Sequence, residues 1–292
     1  MDKIYHNPVL VKEVLQYLDL QSGETFVDCT FGFGGHAKAI LEKTGGEVKV
    51  IGIEKDREVF EKSSENFANK PVTLVNDSFE KIKTILENQG IKGADGVLLD
   101  LGVSSYHFDS AERGFSFLRD EPLDMRLDQT KGQTAADIIN GASKEELAEM
   151  FYTLADETYS RQIAKAIYAA RQREKITRTA PLVEIIASVK PSHGKTNPAT
   201  QVFQALRITV NDELNSLSSG LQAAIEVLNK GGRIAVISFH SGEDRIVKNI
   251  FKQMAEEGRI EILTKKPVSP NYEQIKENPR ARSARLRAAI KN

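Results

Sequence analysis

The chain has one cysteine, Cys29, in 292 residues. It can therefore form no internal disulfide, and it fits a reducing compartment. The plain role for that thiol is a small packed hydrophobe at a strand end. No apolar run is long enough to span a bilayer, and Met1-Asp2-Lys3-Ile4-Tyr5-His6 lacks the basic head and apolar core of a signal peptide. The expectation is a cytoplasmic protein with no membrane partner. Neither Cys nor His forms a cluster with metal-ligand spacing, so no metal is expected at the site. Internal repeats and low-complexity segments are missing as well. A formal net charge of −1 gives, taken alone, no reason to expect a polyanionic partner.

What is present is ordinary for a globular protein, at 40% hydrophobic and 28% charged residues, with length for one large domain or two smaller ones. The charge is unevenly spread. Over 265–292 there are eight Lys and Arg against Glu273 and Glu277. Over 157–178, Arg161, Lys165, Arg171, Arg173, Lys175 and Arg178 stand against Glu157 and Glu174. Such segments are either solvated faces or the footprint of a protein that grips phosphates at one surface.

The stretch Asp28-Cys-Thr-Phe-Gly-Phe-Gly-Gly-His36 reads as a strand ending in glycines and turning directly into a helix. Free N–H groups and the positive end of the helix dipole make such a turn a site for the polar part of a nucleotide-like ligand. The spacing Gly32-x-Gly34-x-x-Ala37 also fits a dinucleotide fingerprint, so the loop alone does not choose a cofactor.

Around this loop, elements alternate. A helix is expected over 10–18, strands over 24–28, 48–54, 72–75 and 96–100, and helices over 56–68 and 79–88. Apolar strands separated by helices indicate a parallel sheet covered on both faces, with ligands bound outside the carboxyl ends of the strands. Asp28, Glu54 and Asp100 all fall near those ends. From 105 to 199 the rhythm changes to helices, with capping boxes at Thr134/Asp137 and Ser143/Glu146. A long amphipathic helix over 201–228 then leads to strands over 234–237, 260–264 and 284–290, with a helix over 243–256. The expected organisation is thus 1–104 and 200–292 as two parts of one α/β domain, interrupted by a helical domain over 105–199. Phe115 and Phe117 lie close behind the Asp100 loop and serve either domain-interface packing or contact with a base.

The late helix-Lys-Gly-Gly-strand unit and the strand pair after it resemble the Rossmann-like class I S-adenosylmethionine-dependent methyltransferases. In those a mostly parallel seven-stranded sheet ends with an antiparallel strand between the fifth and sixth. The blocks His6-x-Pro8-Val9-Leu10, Asp28 to His36, Asp100-Leu-Gly-Val-Ser-Ser105, Arg113-Gly-Phe-Ser-Phe117 and Pro122-Leu-Asp-Met-Arg126 narrow the resemblance further. So do Pro198-Ala-Thr200, Phe203-Gln-Ala-Leu-Arg-Ile208, Ser238-Phe-His-Ser241 and Asn278-Pro-Arg-Ala-Arg-Ser283. Together they resemble the bacterial small-subunit ribosomal RNA (cytosine-N4)-methyltransferases nearly end to end.

That resemblance implies S-adenosyl-L-methionine as cofactor, held by Gly34, Gly35, His36, Glu54, Phe79, Asp100 and His107. It also implies a decoding-centre cytidine of small-subunit ribosomal RNA, in an assembled 30S particle, as substrate; a homodimer is left open. Glu54, His107, Glu121 and Gly242 depart from the family's usual residues. Asp100, Ser104 and His240 are the candidates for the methyl-transfer chemistry. Asp100 would orient the amino nitrogen or hold the cofactor, and His240 would accept a proton or merely pack. The slot Asp100-Leu101-Gly102-Val103 has the acid but not the aromatic that many amino-methyltransferases carry there, so stacking on the base would come from Tyr106, Phe108 or Phe115. An NAD-dependent dehydrogenase and a non-catalytic ribosome-assembly factor are the competing functions.

Overall fold

The computed structural model describes residues 8–103, 105–110, 112–191 and 197–292. Ser104 and His6 lie outside them. The chain divides into two compact units, one made of the residues up to Gly102 and from Leu214 onward, the other of Val103–Glu213.

The first unit is built on a seven-stranded sheet. Its strands are β1 (Thr25–Asp28), β2 (Lys49–Glu54), β3 (Val72–Asn76), β4 (Ala94–Asp100), β5 (Leu228–Ser238), β6 (Ile260–Ile262) and β7 (Arg285–Lys291). Their order is β3-β2-β1-β4-β5-β7-β6. The first five are parallel, and β7 runs antiparallel between β5 and β6. Successive side chains of a strand point to opposite faces. Accordingly Val27, Ile51, Val97 and Leu99 enter one apolar cluster, with Leu217, Leu221 and Phe251 from the covering helices. Phe26, Val50 and Leu98 enter the other, with Val14 and Ile40. Burial on both faces is why these strands read as unbroken apolar runs. The crossover direction reverses between β1 and β4, which places the carboxyl ends of both beside one crevice.

The second unit is helical. Helices Ala135–Gly141, Lys144–Ala155, Ser160–Arg171, Thr179–Val189 and Thr200–Asn211 surround Leu147, Phe151, Ile163, Ile167, Leu182, Phe203 and Leu206, all buried. Both capping boxes expected from the sequence are formed. Phe115 and Phe117 pack inside this unit's own core, Phe117 edge-on to Phe203. Glu121 has a concrete role: its buried carboxylate accepts from the Gly114 N–H at 3.1 Å and from Arg119 Nε at 2.7 Å. Gly114 has φ +72°, and a Cβ there would collide with the Pro122 carbonyl.

Two boundaries differ from the sequence reading. The long helix expected over 201–228 is two helices, Thr200–Asn211 and Glu213–Val227, separated by Asp212 in the left-handed region at φ 50°. Val202, Phe203 and Leu206 of the first belong to the helical core, so the return between units falls at Glu213 and not at Ala199. Strand β5 also begins earlier than expected, at Leu228. Among the described residues, no helix is long and apolar enough to cross a membrane.

Candidate functional site

The glycine loop joins β1 to helix Gly35–Lys43. Gly34 is the N-cap of that helix with φ +72°, and no side chain caps it. The first-turn N–H groups are therefore left for whatever binds at that end. A Cβ on Gly34 would fall on the rings of Phe67 and Phe31, which pack edge-to-face at 5.1 Å. A Cβ on Gly35 would press on Pro8. Both the backbone conformation and the close packing therefore require glycine at 34. The loop is tied down from two sides. Ser63 Oγ donates to the Gly32 carbonyl at 2.7 Å, and the Gly32 N–H donates to Glu54 Oε2 at 2.9 Å. The other Glu54 oxygen accepts from the Asp56 N–H at 2.7 Å, so the acid ending β2 has a fixed orientation toward the loop.

Asp28 and Asp100, ending β1 and β4, meet His36 from the helix N-terminus. His36 Nε2 lies 3.4 Å from Asp100 Oδ2, with both side chains largely buried. The Asp100 N–H donates to Thr30 Oγ1 at 2.6 Å, which pins the start of the loop after β4 to the glycine loop. Asp28 is only 1% exposed, and its Oδ1 accepts from the Thr30 N–H at 3.2 Å. Burial is the main reason its carboxyl is pushed up to about 7, opposed by His36 and the Thr30 N–H and reinforced by Asp100. Among the described residues, neither ring nitrogen of His36 has a hydrogen-bond partner, nor does Asp100 Oδ1. Buried polar atoms left in this way are uncommon and point to a ligand. Thr30 and Ser63 were missed by the sequence reading. Asp28 was recognised as a strand-end acid, but its shared burial with His36 arises only from the strand order.

The other expected residues are placed differently. Phe79 opens a 3₁₀ turn after β3, against Gly220, where a Cβ would overlap its ring. His107 belongs to the second unit, with its ring 5.3 Å from that of Phe115. His240 is the N-cap of helix Ser241–Glu256. Its Nδ1 accepts from the Glu243 N–H at 3.4 Å, and its Nε2 lies 3.3 Å from Glu243 Oε1. The Glu243 carboxylate also accepts from the Phe239 and His240 N–H groups, closing a capping box. Gly242 lies under the His240 ring, where a Cβ would come within 3.1 Å of Nδ1. Ser104 is outside the described residues.

The basic segments separate into engaged and exposed cations. Arg287 is buried and forms two hydrogen bonds to Asp244, at 2.7 and 3.1 Å, so it is not one of the exposed cations of the 265–292 segment. Arg178 donates to Asp120 at 2.6 Å and Arg171 to the Ile139 carbonyl at 2.6 Å. Arg161, Lys165, Arg173 and Lys175 are exposed and have no ion pair among the described residues.

A family model described as the MraW methylase family matches residues 3–292. The chain is similar to ribosomal RNA small subunit methyltransferase H of Elusimicrobium minutum, with 48% identity over 292 residues that cover 100% of both chains. The protein of the same name from Persephonella marina is 46% identical, over 98% of this chain and 99% of its own. The one from Ehrlichia canis is 44% identical, over 98% and 99%.

Proposed function

Because the chain belongs to the MraW methylase family, we propose that it methylates the exocyclic N4 of a cytidine in the decoding centre of an assembled small ribosomal subunit. S-adenosylmethionine is its methyl donor and small-subunit ribosomal RNA the macromolecule it modifies. The base, the atom and the assembled particle follow from the resemblance of the sequence blocks His6 to Leu10, Asp28 to His36 and Asp100 to Ser105. The antiparallel β7 between β5 and β6 favours this reading over a nicotinamide dehydrogenase, whose second mononucleotide-binding half should follow the first.

What supports the site assignment is the group of buried atoms without a hydrogen bond on His36 and Asp100, beside an uncapped helix N-terminus. These residues fit the cofactor. The glycine loop admits close approach of a ligand to the backbone, and the helix end suits its carboxylate. Glu54, oriented by two backbone N–H groups, suits the ribose hydroxyls, since a carboxylate offers about four acceptor positions. Gly34, Gly35, His36 and Phe79 complete the holding set within the first unit. His107 is carried by the family resemblance. When bound, S-adenosylmethionine supplies an electrophilic methyl on a cationic sulfur.

The substrate amine is a poor nucleophile, because its lone pair is delocalised into the ring. Asp100 Oδ1 would accept an N4 hydrogen, localise the lone pair and take up the proton released after transfer. An acceptor at this point rejects uracil, whose O4 is itself an acceptor. His240 Nδ1 is engaged in capping its helix, while its buried Nε2 lies 3.3 Å from Glu243 Oε1 without a hydrogen bond, so His240 stays the second candidate for proton transfer. The direct test is incubation of undermethylated small-subunit rRNA with the protein and S-adenosylmethionine, followed by nucleoside mass spectrometry. N4-methylcytidine is the expected product, and methylation confined to another base would overturn the assignment.

Glu54→Ala should weaken S-adenosylhomocysteine binding by roughly 1.5–3 kcal/mol, the range for a charge-assisted hydrogen bond. Calorimetry reads this directly, and wild-type affinity in the variant would remove Glu54 from the cofactor site.

A further inference from the structure

We propose that the solvent face of helix Ser160–Arg171 holds single-stranded RNA, with Tyr168 stacking on an unpaired base and Arg161 and Lys165 on the neighbouring phosphates. This rests on the ribosomal-RNA reading above and adds to it a base-binding position. The helix is amphipathic, with Ile163, Ala164 and Ile167 fully buried. Arg161, Lys165 and Tyr168 follow at i, i+4 and i+7 and so form one line along the exposed side of the helix, about 10 Å long at the α-helical rise.

Three features set Tyr168 apart from an ordinary exposed tyrosine. The residue is 43% exposed. The Arg171 guanidinium lies 5.0 Å from its centroid and is itself anchored, by its bond to the Ile139 carbonyl. One side of the ring is thus backed by a fixed cation while the rest meets solvent. Finally, no acid occurs between Ser160 and Arg171.

The other exposed tyrosines lack this setting. Tyr152, 60% exposed, lies on helix Lys144–Ala155 with Glu145, Glu146 and Glu149, and Tyr272 shares its short helix with Glu273, Lys276 and Glu277 and has no cation over its ring among the described residues. The glutamates beside Tyr152 would repel a phosphate chain, whereas the Tyr168 helix carries none. An aromatic platform flanked by cations is the arrangement that binds unpaired nucleic acid with little sequence preference.

The chain contains no tryptophan, so Tyr168→Trp introduces a single indole at the proposed platform. A fluorescein-labelled single-stranded oligoribonucleotide of small-subunit sequence reports binding by anisotropy, while indole emission reports stacking. Emission is expected to fall in step with anisotropy for the intact oligomer and to change little for an abasic oligomer of equal length. Tyr168→Ala should raise the RNA dissociation constant by about 5- to 150-fold, with an unchanged salt slope and unchanged S-adenosylhomocysteine affinity. Tyr168→Phe should restore tight binding. Neutralising Arg161 and Lys165 to Gln should instead flatten the salt slope by about 0.7 per lost contact.

Constant indole emission while the RNA binds, or equal quenching by the abasic oligomer, would overturn the stacking role and leave the RNA reading intact. Failure of the wild-type protein to bind any form of small-subunit RNA would overturn both.

Discussion

Asp100→Asn is expected to lower the single-turnover rate of methyl transfer by about 10²- to 10³-fold at saturating S-adenosylmethionine, the usual effect of removing one preorganised electrostatic group at a reacting centre. The substitution is nearly isosteric. The main-chain N–H of residue 100 still donates to Thr30 Oγ1, so the exit of β4 stays in place. What changes is the buried Oδ1, which has no partner among the described residues, and the anionic neighbour of His36 at 3.4 Å. An amide cannot take up the N4 proton, and its NH₂ group presents donors where an acceptor is needed. Two readouts separate the roles open to this residue. If Asp100 orients the base, cofactor affinity stays within a few-fold of wild type while the rate falls. If Asp100 instead holds the cofactor, calorimetry shows the loss and the rate recovers at saturation. The second pattern would move the orienting role elsewhere, and His240→Ala would be the next variant to measure.

Much of this site was legible in the sequence because its positions are dictated locally. A glycine at the end of a buried strand and at the start of an uncapped helix announces a tight, ligand-facing turn, and Gly34 has the positive φ that such a turn requires. Glu54 and Asp100 were visible as acids ending apolar runs. The parallel strands were visible because burial on both faces leaves no polar alternation. The contacts that give these residues their chemistry are not local. His36 meets Asp100 only because β4 lies next to β1 in the sheet, and Asp28 is buried beside them for the same reason.

The break at Asp212 was hidden for another reason. Amphipathic spacing runs through it unchanged, yet the residues before it pack in the helical core and those after it on the sheet. A short polar side chain that tolerates the left-handed region allows the turn, but its composition does not demand one. Arg287 shows the converse error. Its place in the basic segment 265–292 suggests a solvated or phosphate-facing cation, but Asp244, on a helix more than forty residues earlier, draws that guanidinium into a buried pair.

Asp28→Asn should stabilise the protein against unfolding at pH 8 and do little at pH 4. In the unfolded chain the Asp28 carboxyl ionises near 3.8, whereas burial pushes it up to about 7 in the folded state. Below 3.8 the acid is neutral in both states and contributes no difference. Between 4 and 7 the unfolded chain gives up its proton while the folded protein retains it, so stability falls as pH rises. Above 7 both states are ionised, and the folded protein carries the full cost of a buried charge, roughly 4 kcal/mol for a rise of that size. Asparagine is neutral throughout, and its side-chain carbonyl can still accept from the Thr30 N–H. Urea unfolding of both proteins should therefore show a difference that grows across pH 4–7 and then levels off. An equal difference at pH 5 and pH 8 would mean that Asp28 ionises as an ordinary acid. The same proton bears on catalysis. Asp28 is close enough to His36 and Asp100 for their charges to act on its carboxyl, so the charge it gains near pH 7 acts back on that pair. The variant should therefore preserve methyl transfer near pH 7 while removing whatever part of its pH dependence comes from Asp28, and a rate profile unchanged from wild type would confine the residue to stability.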